Sequence, residues 1–341
     1  MARLLIVALA LFTAACKPDP VTLTFSGKTM GTTYNITALD KSGEVDATAL
    51  EQGIEAALAE VNAKMSNWDP NSEVSRFNAT ETTEPVEVSA EFAAVMAAAN
   101  EIHDKSGGLF DVTLGPLIEI WGFGARNSES PVPSDEAILA ALEVVGQNKV
   151  LTLTSAPDTL QKSLPGTSIY LAAIAKGYGV DQVAAVLREA GLNDYMVEIG
   201  GDLVTSGVNP DGKKWRIGIE RPDAASKTVE EVVALSGLGM ATSGDYRNYF
   251  EENGVRYSHI IDAGTGRPIT HGTASVTVLA KDAMMADGWA TALLVLGQER
   301  GMKVAEAEGL AVLFITRAPE ASELTFETTA SPAFEKLQAQ N

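Results

Sequence analysis

Strand-like and helix-like segments follow one another in an irregular order along this chain, and that order limits the folds open to it. Residues 21–25 and 33–39 alternate between apolar and polar side chains, which predicts strands, whereas residues 51–65 carry apolar side chains at helical spacing. Further helices are predicted at residues 90–105, 134–146, 176–190, 283–296 and 298–308, and further strands at residues 195–199, 215–219, 232–236, 257–261, 275–280 and 311–316. Because the two types do not alternate strictly, the pattern favours an α+β domain with a mixed, largely antiparallel sheet and packed helices over a doubly wound fold.

The first sixteen residues form a separate unit. Arg3 precedes an apolar run over residues 4–12, which has the length of a signal-peptide core and is too short to span a bilayer as a helix. Two alanines then lead to Cys16, the only cysteine of the chain. This arrangement resembles a bacterial lipoprotein signal, although Thr13 stands where leucine is usual, and cleavage without lipidation is the alternative. We therefore expect a signal peptide at residues 1–15, a lipidated Cys16 in a tether at residues 16–22, and one domain at residues 23–341.

The charge of the chain limits its partners. The formal net charge is −20 over 341 residues, and a field of that sign repels phosphate backbones, which argues against nucleic-acid binding. An anionic ligand would need locally fixed dipoles or a metal ion. A lone cysteine also excludes an internal disulfide and any metal site built from several cysteines.

Several common catalytic motifs are missing from the sequence. Neither phosphate-binding pattern, G-x-x-x-x-G-K-[ST] or G-x-G-x-x-G, is present, and there is no G-x-S-x-G or H-E-x-x-H. The chain has only three histidines, so a zinc site built on histidine is not expected. If the protein handles a nucleotide, it must do so by a less common route.

Two segments contain residues that could carry chemistry. Asp287 and Thr291 are four residues apart on a predicted helix, so their oxygens lie on one face and could serve as hard ligands for magnesium. A helix-start aspartate with a threonine bonded to its own backbone is the alternative, and the spacing alone favours it. His259 ends a predicted strand before a glycine-rich turn, where an imidazole could accept a proton from an attacking hydroxyl, or could simply hold the turn.

The segment at residues 107–117, followed by residues 121–124, is rich in glycine and aromatic residues. Such a segment can approach a flat ligand closely, or can be an ordinary turn with core aromatics. His103 and His271 have no comparable context and are predicted to be structural.

Taken in order, these segments resemble the ApbE family, the FAD:protein FMN transferases. The resemblance covers nearly all of residues 25–316, and its specificity comes from the ordered set of motifs. The similar stretches are residues 28–32, 110–117 with 121–123, 174–178, 199–202, 242–247, 258–262, and Ala286-Asp287 with Ala290-Thr291.

The resemblance implies roles for particular residues. The positions that match the FAD-lining residues of the family are Met30, Trp68, Leu109, Phe110, Asp111, Lys176 and Ile261. Asp287 and Thr291 match metal-ligating side chains, Ala173 matches a position that offers its backbone carbonyl to the metal, and His259 matches the proposed base. One departure is Tyr170, which stands where the family commonly has an aspartate that contacts the flavin nucleotide.

The resemblance also implies an activity and partners. The expected reaction is the Mg²⁺-dependent transfer of FMN from FAD to a threonine or serine hydroxyl of an acceptor protein, through a phosphoester bond and with release of AMP. Expected acceptors are subunits of membrane redox pumps of the sodium-translocating NADH:quinone reductase type, which would place the lipid-anchored protein on the periplasmic side of the bacterial inner membrane. A metal-dependent FAD pyrophosphatase and a non-catalytic flavin-binding lipoprotein are the alternatives.

Overall fold

A computed structural model describes residues 19–124, 132–223, 228–318 and 325–339 of the chain. The predicted signal peptide and Cys16 lie outside the described residues, as does much of the polar segment between Gly122 and Pro133. In the part of the chain that is described, no helix combines the length and apolar character needed to cross a membrane.

The strands are numbered along the chain. They are β1 (Val21–Thr29), β2 (Thr32–Asp40), β3 (Val86–Glu87), β4 (Leu151–Thr154), β5 (Thr159–Lys162), β6 (Tyr195–Ile199), β7 (Asp202–Ser206), β8 (Trp215–Glu220), β9 (Val229–Leu235), β10 (Gly239–Gly244), β11 (Tyr249–Glu252), β12 (Val255–Ser258), β13 (Ile261–Asp262), β14 (Arg267–Pro268), β15 (Thr273–Ala280), β16 (Ala311–Arg317) and β17 (Phe326–Ala330).

The helices are α1 (Ala47–Met65), α2 (Glu73–Ala79), α3 (Ala90–Lys105), α4 (Gly115–Ile120), α5 (Asp135–Leu142), α6 (Gln147–Val150), α7 (Ala175–Glu189), α8 (Ala283–Glu308) and α9 (Pro332–Ala339). Side-chain caps explain where several of them begin. Ser89 and Ser134 each accept a bond from a first-turn amide, of Phe92 and of Ala137 respectively, so α3 and α5 start where the sequence predicts.

One sheet of eight strands, in the order β1-β2-β6-β7-β10-β15-β16-β17, organises the molecule. Every neighbouring pair in it is antiparallel. The α+β class is therefore confirmed. The sheet, expected to be largely antiparallel, is antiparallel throughout in the described residues, because the strands follow one another in chain order and each runs back beside the one before.

Helices α1 to α8 lie in the connections between neighbouring strands of this sheet, and α9 follows β17. Helices α1 to α7 come between β2 and β6, and α8 comes between β15 and β16. The main apolar core forms where α3, α7 and α8 pack together and against the sheet, around Ile102, Trp289 and Phe314. A second core, around Ile54 and Val183, joins α1 and α7 to β2 and β6.

Three predicted elements end differently in the structure. The helix that starts at Asp135 stops at Leu142, because a turn separates it from α6. The predicted strand at residues 257–261 is split, since β12 pairs with β11 while β13 pairs with β14. The helices predicted at residues 283–296 and 298–308 form one helix, α8, with a non-helical residue at the predicted break, Gly297, whose φ is 73°.

Candidate active site

A cavity of about 340 Å³ lies where the insertions between the sheet strands meet α7 and α8. Ten of the residues singled out in the sequence line it together. They are Leu109, Phe110, Asp111, Tyr170, Ala173, Lys176, His259, Ile261, Asp287 and Thr291. Residues that are up to 182 positions apart in the chain therefore converge on one site.

A second cavity, of about 170 Å³, adjoins the first. Met30 and Trp68 line it, and Trp68 is 61% exposed. Ala172 and Lys176 line both cavities. The two cavities thus form neighbouring compartments of one elongated site, with Lys176 at their boundary.

Helix α8 holds Asp287 and Thr291 on the face that lines the main cavity. Two aspartates fix the start of this helix, since Asp282 accepts a bond from the amide of Met285 while Asp181 accepts from two further first-turn amides. The hydroxyls of Thr291 and Ser243 are 2.9 Å apart and hydrogen-bonded. The predicted pair is therefore one helical turn apart on a helix whose start is fixed.

A buried charge cluster surrounds Asp287. The carboxylate of Asp287 accepts a 2.9 Å bond from the amide of Gly177, and Lys176 pairs with the buried Asp202. Burial first, and the negative charge of Asp202 second, raise the pKa of Asp287 to about 7. Burial by itself would lower the pKa of Lys176, but the two carboxylates outweigh it and the pKa is raised.

The β6–β7 hairpin explains how Asp202 reaches this cluster. Gly200 and Gly201 have φ values of 57° and 99°, a left-handed backbone that glycine adopts without steric cost in a two-residue turn. Asp202 is the first residue of β7, directly after this turn. Asp202 lies in one of the stretches that carry the family resemblance, residues 199–202, but had no predicted role; the Gly-Gly-Asp turn is the sequence signal that could have indicated it.

His259 lies at the break between β12 and β13. The carbonyl of Asn248 accepts a 3.1 Å bond from the backbone amide of His259 and lies 3.0 Å from Nδ1 of its ring. Because a carbonyl can only accept, Nδ1 carries the proton in the neutral ring and Nε2 is the basic nitrogen. Burial lowers the pKa of His259, and this outweighs the opposing effects of the Asn248 carbonyl and of Asp245.

Aromatic side chains pack beside His259. Phe123 meets the imidazole edge-on with ring centroids 6.3 Å apart, and Phe250 stacks on Tyr257 at 5.1 Å. The indole of Trp121 donates a 2.8 Å bond to the carbonyl of Gly266. The cluster thus connects α4 to the turn that follows β13 and gives the histidine a partly apolar environment.

The glycine-rich segment at residues 107–117 provides one wall of the main cavity. The carboxylate of Asp111 accepts bonds from the amides of Thr113 and Gln147 at 2.7 and 2.8 Å, so its polar atoms hold the segment in shape. The amide of Tyr170 donates to the carbonyl of Val112 at 2.7 Å, which fixes Tyr170 against this wall. Leu109 and Phe110 complete an apolar surface.

Met30 occupies the β1–β2 turn in a left-handed conformation, with φ of 49°. A residue other than glycine adopts this region at some steric cost, and such positions concentrate at functional sites. The terminal methyl of Met30 lies so close to Gly179 that a Cβ there would be 2.5 Å away. Packing on α7 therefore directs Met30 to the second cavity.

The structure adds lining residues that sequence reasoning did not assign. They include Thr242 and Ser243 of β10, Tyr246, Arg247 and Asn248 from the loop after β10, and Gly200. Most of them fall in residues 242–247, a stretch that carries the family resemblance but for which the sequence predicts no individual roles. Asn248 acts through its backbone carbonyl, which no side-chain pattern could reveal.

The donors around Asp287 fit a magnesium ion. Within residues 19–124, 132–223, 228–318 and 325–339, no group of three or more His, Cys, Asp or Glu side chains is arranged to hold a metal. The cavity instead offers one buried carboxylate, a threonine hydroxyl and the Ala173 backbone position, all oxygen donors of the type magnesium takes. Two buried carboxylates also share the single ammonium of Lys176, so the cluster has excess negative charge that a cation would neutralise.

Comparison with known proteins gives the relationship of this chain. The model of the ApbE family matches residues 30–314. A FAD:protein FMN transferase of Haemophilus influenzae is 46% identical over 97% of this chain and 96% of its own length, and one of Vibrio cholerae is 45% identical over 96% of this chain and 97% of its own.

Solved structures agree with this result. The flavin transferase ApbE from Vibrio cholerae superposes with a TM-score of 0.85 at 43% identity, covering 93% of this chain and 99% of its own. The apo flavinyl transferase ApbE of Pseudomonas stutzeri gives a TM-score of 0.84 at 38% identity, with 94% and 97% covered. The resemblance found in the sequence is confirmed: the chain belongs to the ApbE family.

Proposed function

We propose that this protein transfers FMN from FAD to a threonine or serine hydroxyl of an acceptor protein and releases AMP. The observation that carries the proposal is the convergence of His259, Asp287 and Thr291 on one cavity, with a half-buried imidazole whose basic nitrogen is Nε2. The names of the relatives support the same reaction class.

The shape of the site suits a dinucleotide. A larger compartment with an apolar wall adjoins a smaller one beside the exposed Trp68, and FAD has two ring systems joined by a pyrophosphate. Lys176 lines both compartments and its pKa is raised, so it stays a charged ammonium, paired with Asp202, beside the place where a bridging pyrophosphate would lie. This positive side chain, together with a cation bound at Asp287, would reduce the repulsion expected between an anionic ligand and an acidic protein.

Asp287, Thr291 and the carbonyl of Ala173 would hold the magnesium ion. When bound, the ion neutralises charge on the pyrophosphate oxygens and makes AMP a better leaving group. Two neighbouring groups of the protein orient these ligands. Ser243 orients the hydroxyl of Thr291, and the amide of Gly177 orients the carboxylate of Asp287.

His259 would act as the general base. The acceptor hydroxyl gives its proton to Nε2 while its oxygen attacks the FMN-side phosphorus, and the bond from that phosphorus to AMP breaks. One phosphoester is formed and one phosphoanhydride is lost, so no further reactant is needed. The Asn248 carbonyl keeps the ring in the required tautomer and favours the imidazolium that results.

The cellular setting follows from the N-terminal pattern and the reaction. A lipidated Cys16 would hold the enzyme at the periplasmic face of the bacterial inner membrane, within reach of subunits of membrane redox pumps of the sodium-translocating NADH:quinone reductase type. Labelling cells with a radioactive fatty acid and comparing the wild-type chain with Cys16→Ala tests the anchor. Lipidation of the wild type alone is the expected result, and label on neither form would contradict it.

The reaction is tested by measuring AMP release from FAD and Mg²⁺ with and without an acceptor peptide. A transferase requires the peptide for rapid release, whereas a pyrophosphatase does not. His259→Ala should lower acceptor-dependent release by about 10²–10⁴-fold while FAD still binds. Fast release in the absence of any acceptor would favour the pyrophosphatase, and loss of FAD binding in the variant would make His259 a binding residue.

A further inference from the structure

Asp245 is a junction between the main sheet and the hairpin that precedes His259. It directly follows β10, and its backbone amide donates to the carbonyl of Ala274 at 3.1 Å. The side chain of Asp245 accepts two bonds from Arg317, at 2.9 and 2.5 Å. Its carbonyl accepts a third bond, at 2.8 Å, from Arg256. Such a set of bonds leaves Asp245 little freedom to move.

The two arginines come from different parts of the fold. Arg317 is the last residue of β16, and its amide donates to the carbonyl of Gly272, so it belongs to the main sheet. Arg256 belongs to β12, and its guanidinium lies 3.9 Å from the ring centroid of Tyr249 in β11. Asp245 therefore connects the β11–β12 hairpin to the central sheet.

The same short loop also contacts His259, the proposed base. Three residues after Asp245, the carbonyl of Asn248 contacts both the backbone amide and the Nδ1 atom of His259. The position of this carbonyl thus decides both the place and the tautomer of the imidazole. Arg317 and Asp245 are both largely buried, with side chains 23% and 11% exposed, so their pairing is shielded more than a surface ion pair would be.

We propose that Arg317 and Asp245 are positioning residues, which hold the loop of Asn248 so that Nε2 of His259 meets the acceptor hydroxyl. The inference rests on the proposed function, in which His259 is the base. A planar guanidinium that makes two parallel bonds fixes orientation as well as distance, which a lysine cannot do. The pair would act mainly on the chemical step, because the side chains of Asp245 and Arg317 do not line the cavity proposed for FAD.

The test is a double-mutant cycle on the full chain, with transfer rate and FAD affinity measured separately. Arg317→Gln should lower kcat by about 10–100-fold, since a displacement of about 1 Å costs about that much. The Kd for FAD should stay within about twofold of wild type, by calorimetric titration. Arg317→Lys keeps the positive charge but cannot make the two parallel bonds to Asp245, so it should lower kcat less than Arg317→Gln. If Arg317→Gln does not fold, Arg317→Lys replaces it in the test.

In a His259→Ala background, Arg317→Gln should cause no further loss, because it acts through the histidine. Arg267→Gln is the matched control, since it removes another Arg–Asp pair, with Asp135, and should leave kcat unchanged. If Arg317→Gln lowers the transfer rate equally in the wild-type and His259→Ala backgrounds, the positioning role is wrong, and the assignment of His259 as the base still stands. Wild-type transfer by His259→Ala would overturn the base itself, and the positioning role with it.

Discussion

The close approach of α7 and α8 is the contact on which the proposed metal site depends most directly. A Cβ at Gly177 would lie 2.2 Å from the carbonyl oxygen of Ala283 and 2.8 Å from the Cβ of Asp287. The nearer neighbour is backbone, which cannot rotate away. To bring the first distance to an ordinary contact, the helices must separate by about 1 Å.

Gly177→Ala should therefore have two effects. Overpacking of this kind lowers the free energy of unfolding by about 1–3 kcal/mol, and a displacement of about 1 Å at a reacting site lowers the rate by about 10²-fold. The amide of residue 177 would also move away from the carboxylate of Asp287, so more Mg²⁺ should be needed for half-maximal transfer.

Urea unfolding and Mg²⁺ titration of the transfer rate measure these effects. Gly53→Ala in α1 is the control, since a Cβ there meets only a methyl of Val186, at 3.2 Å, and alanine favours the helix by up to about 1 kcal/mol. The control should keep wild-type stability or exceed it, with unchanged Mg²⁺ dependence. If Gly177→Ala unfolds at the wild-type urea concentration and needs no extra Mg²⁺, the reasoning is wrong.

Other changes test the remaining roles. Asp287→Ala should abolish Mg²⁺-dependent transfer and Thr291→Ala should weaken it less, because only the first removes a charged donor; wild-type turnover of Asp287→Ala at limiting Mg²⁺ would refute the assignment. Because burial lowers the pKa of His259 below its usual 6.5, transfer should rise with pH through a midpoint below pH 6.5, whereas a pH–rate profile with a midpoint above pH 6.5 would contradict this. Tyr170→Asp should weaken FAD binding in calorimetry, since burial and the charge of Glu119 oppose an added carboxylate there, and tighter binding would show that the tyrosine merely replaces the usual aspartate.

The sequence predicts the local structure of this chain where periodicity and caps are strong. Helix α3 has the predicted bounds, and the helical spacing of Asp287 and Thr291 correctly placed both on one face of α8. The strand predicted at residues 257–261 was wrong, since its backbone changes pairing partners: β12 pairs with β11 up to Ser258, whereas Ile261 pairs with Pro268 of β14. Such a long-range backbone contact leaves no pattern in the side chains.

The candidate site was found in the sequence mainly through the resemblance. By itself, the spacing of Asp287 and Thr291 favoured a structural explanation, and a lone histidine before a turn did the same. Only the fold brings them together with Lys176 and Asp202, which are supplied by α7 and by the β6–β7 hairpin. The pairing of Asp245 with Arg317 could not be inferred from the sequence, because it depends on the register of strands that are distant in the chain.

If the proposed function is correct, flavin becomes covalently attached to another protein at this site. The most direct test incubates the wild-type protein with FAD, Mg²⁺ and a periplasmic fragment of a redox-pump subunit, and measures the intact mass and fragment spectra of that subunit. We predict an added FMN joined through a phosphoester to one threonine or serine, with an equal amount of AMP released. AMP released without any flavin on the subunit would contradict the proposed transfer of FMN.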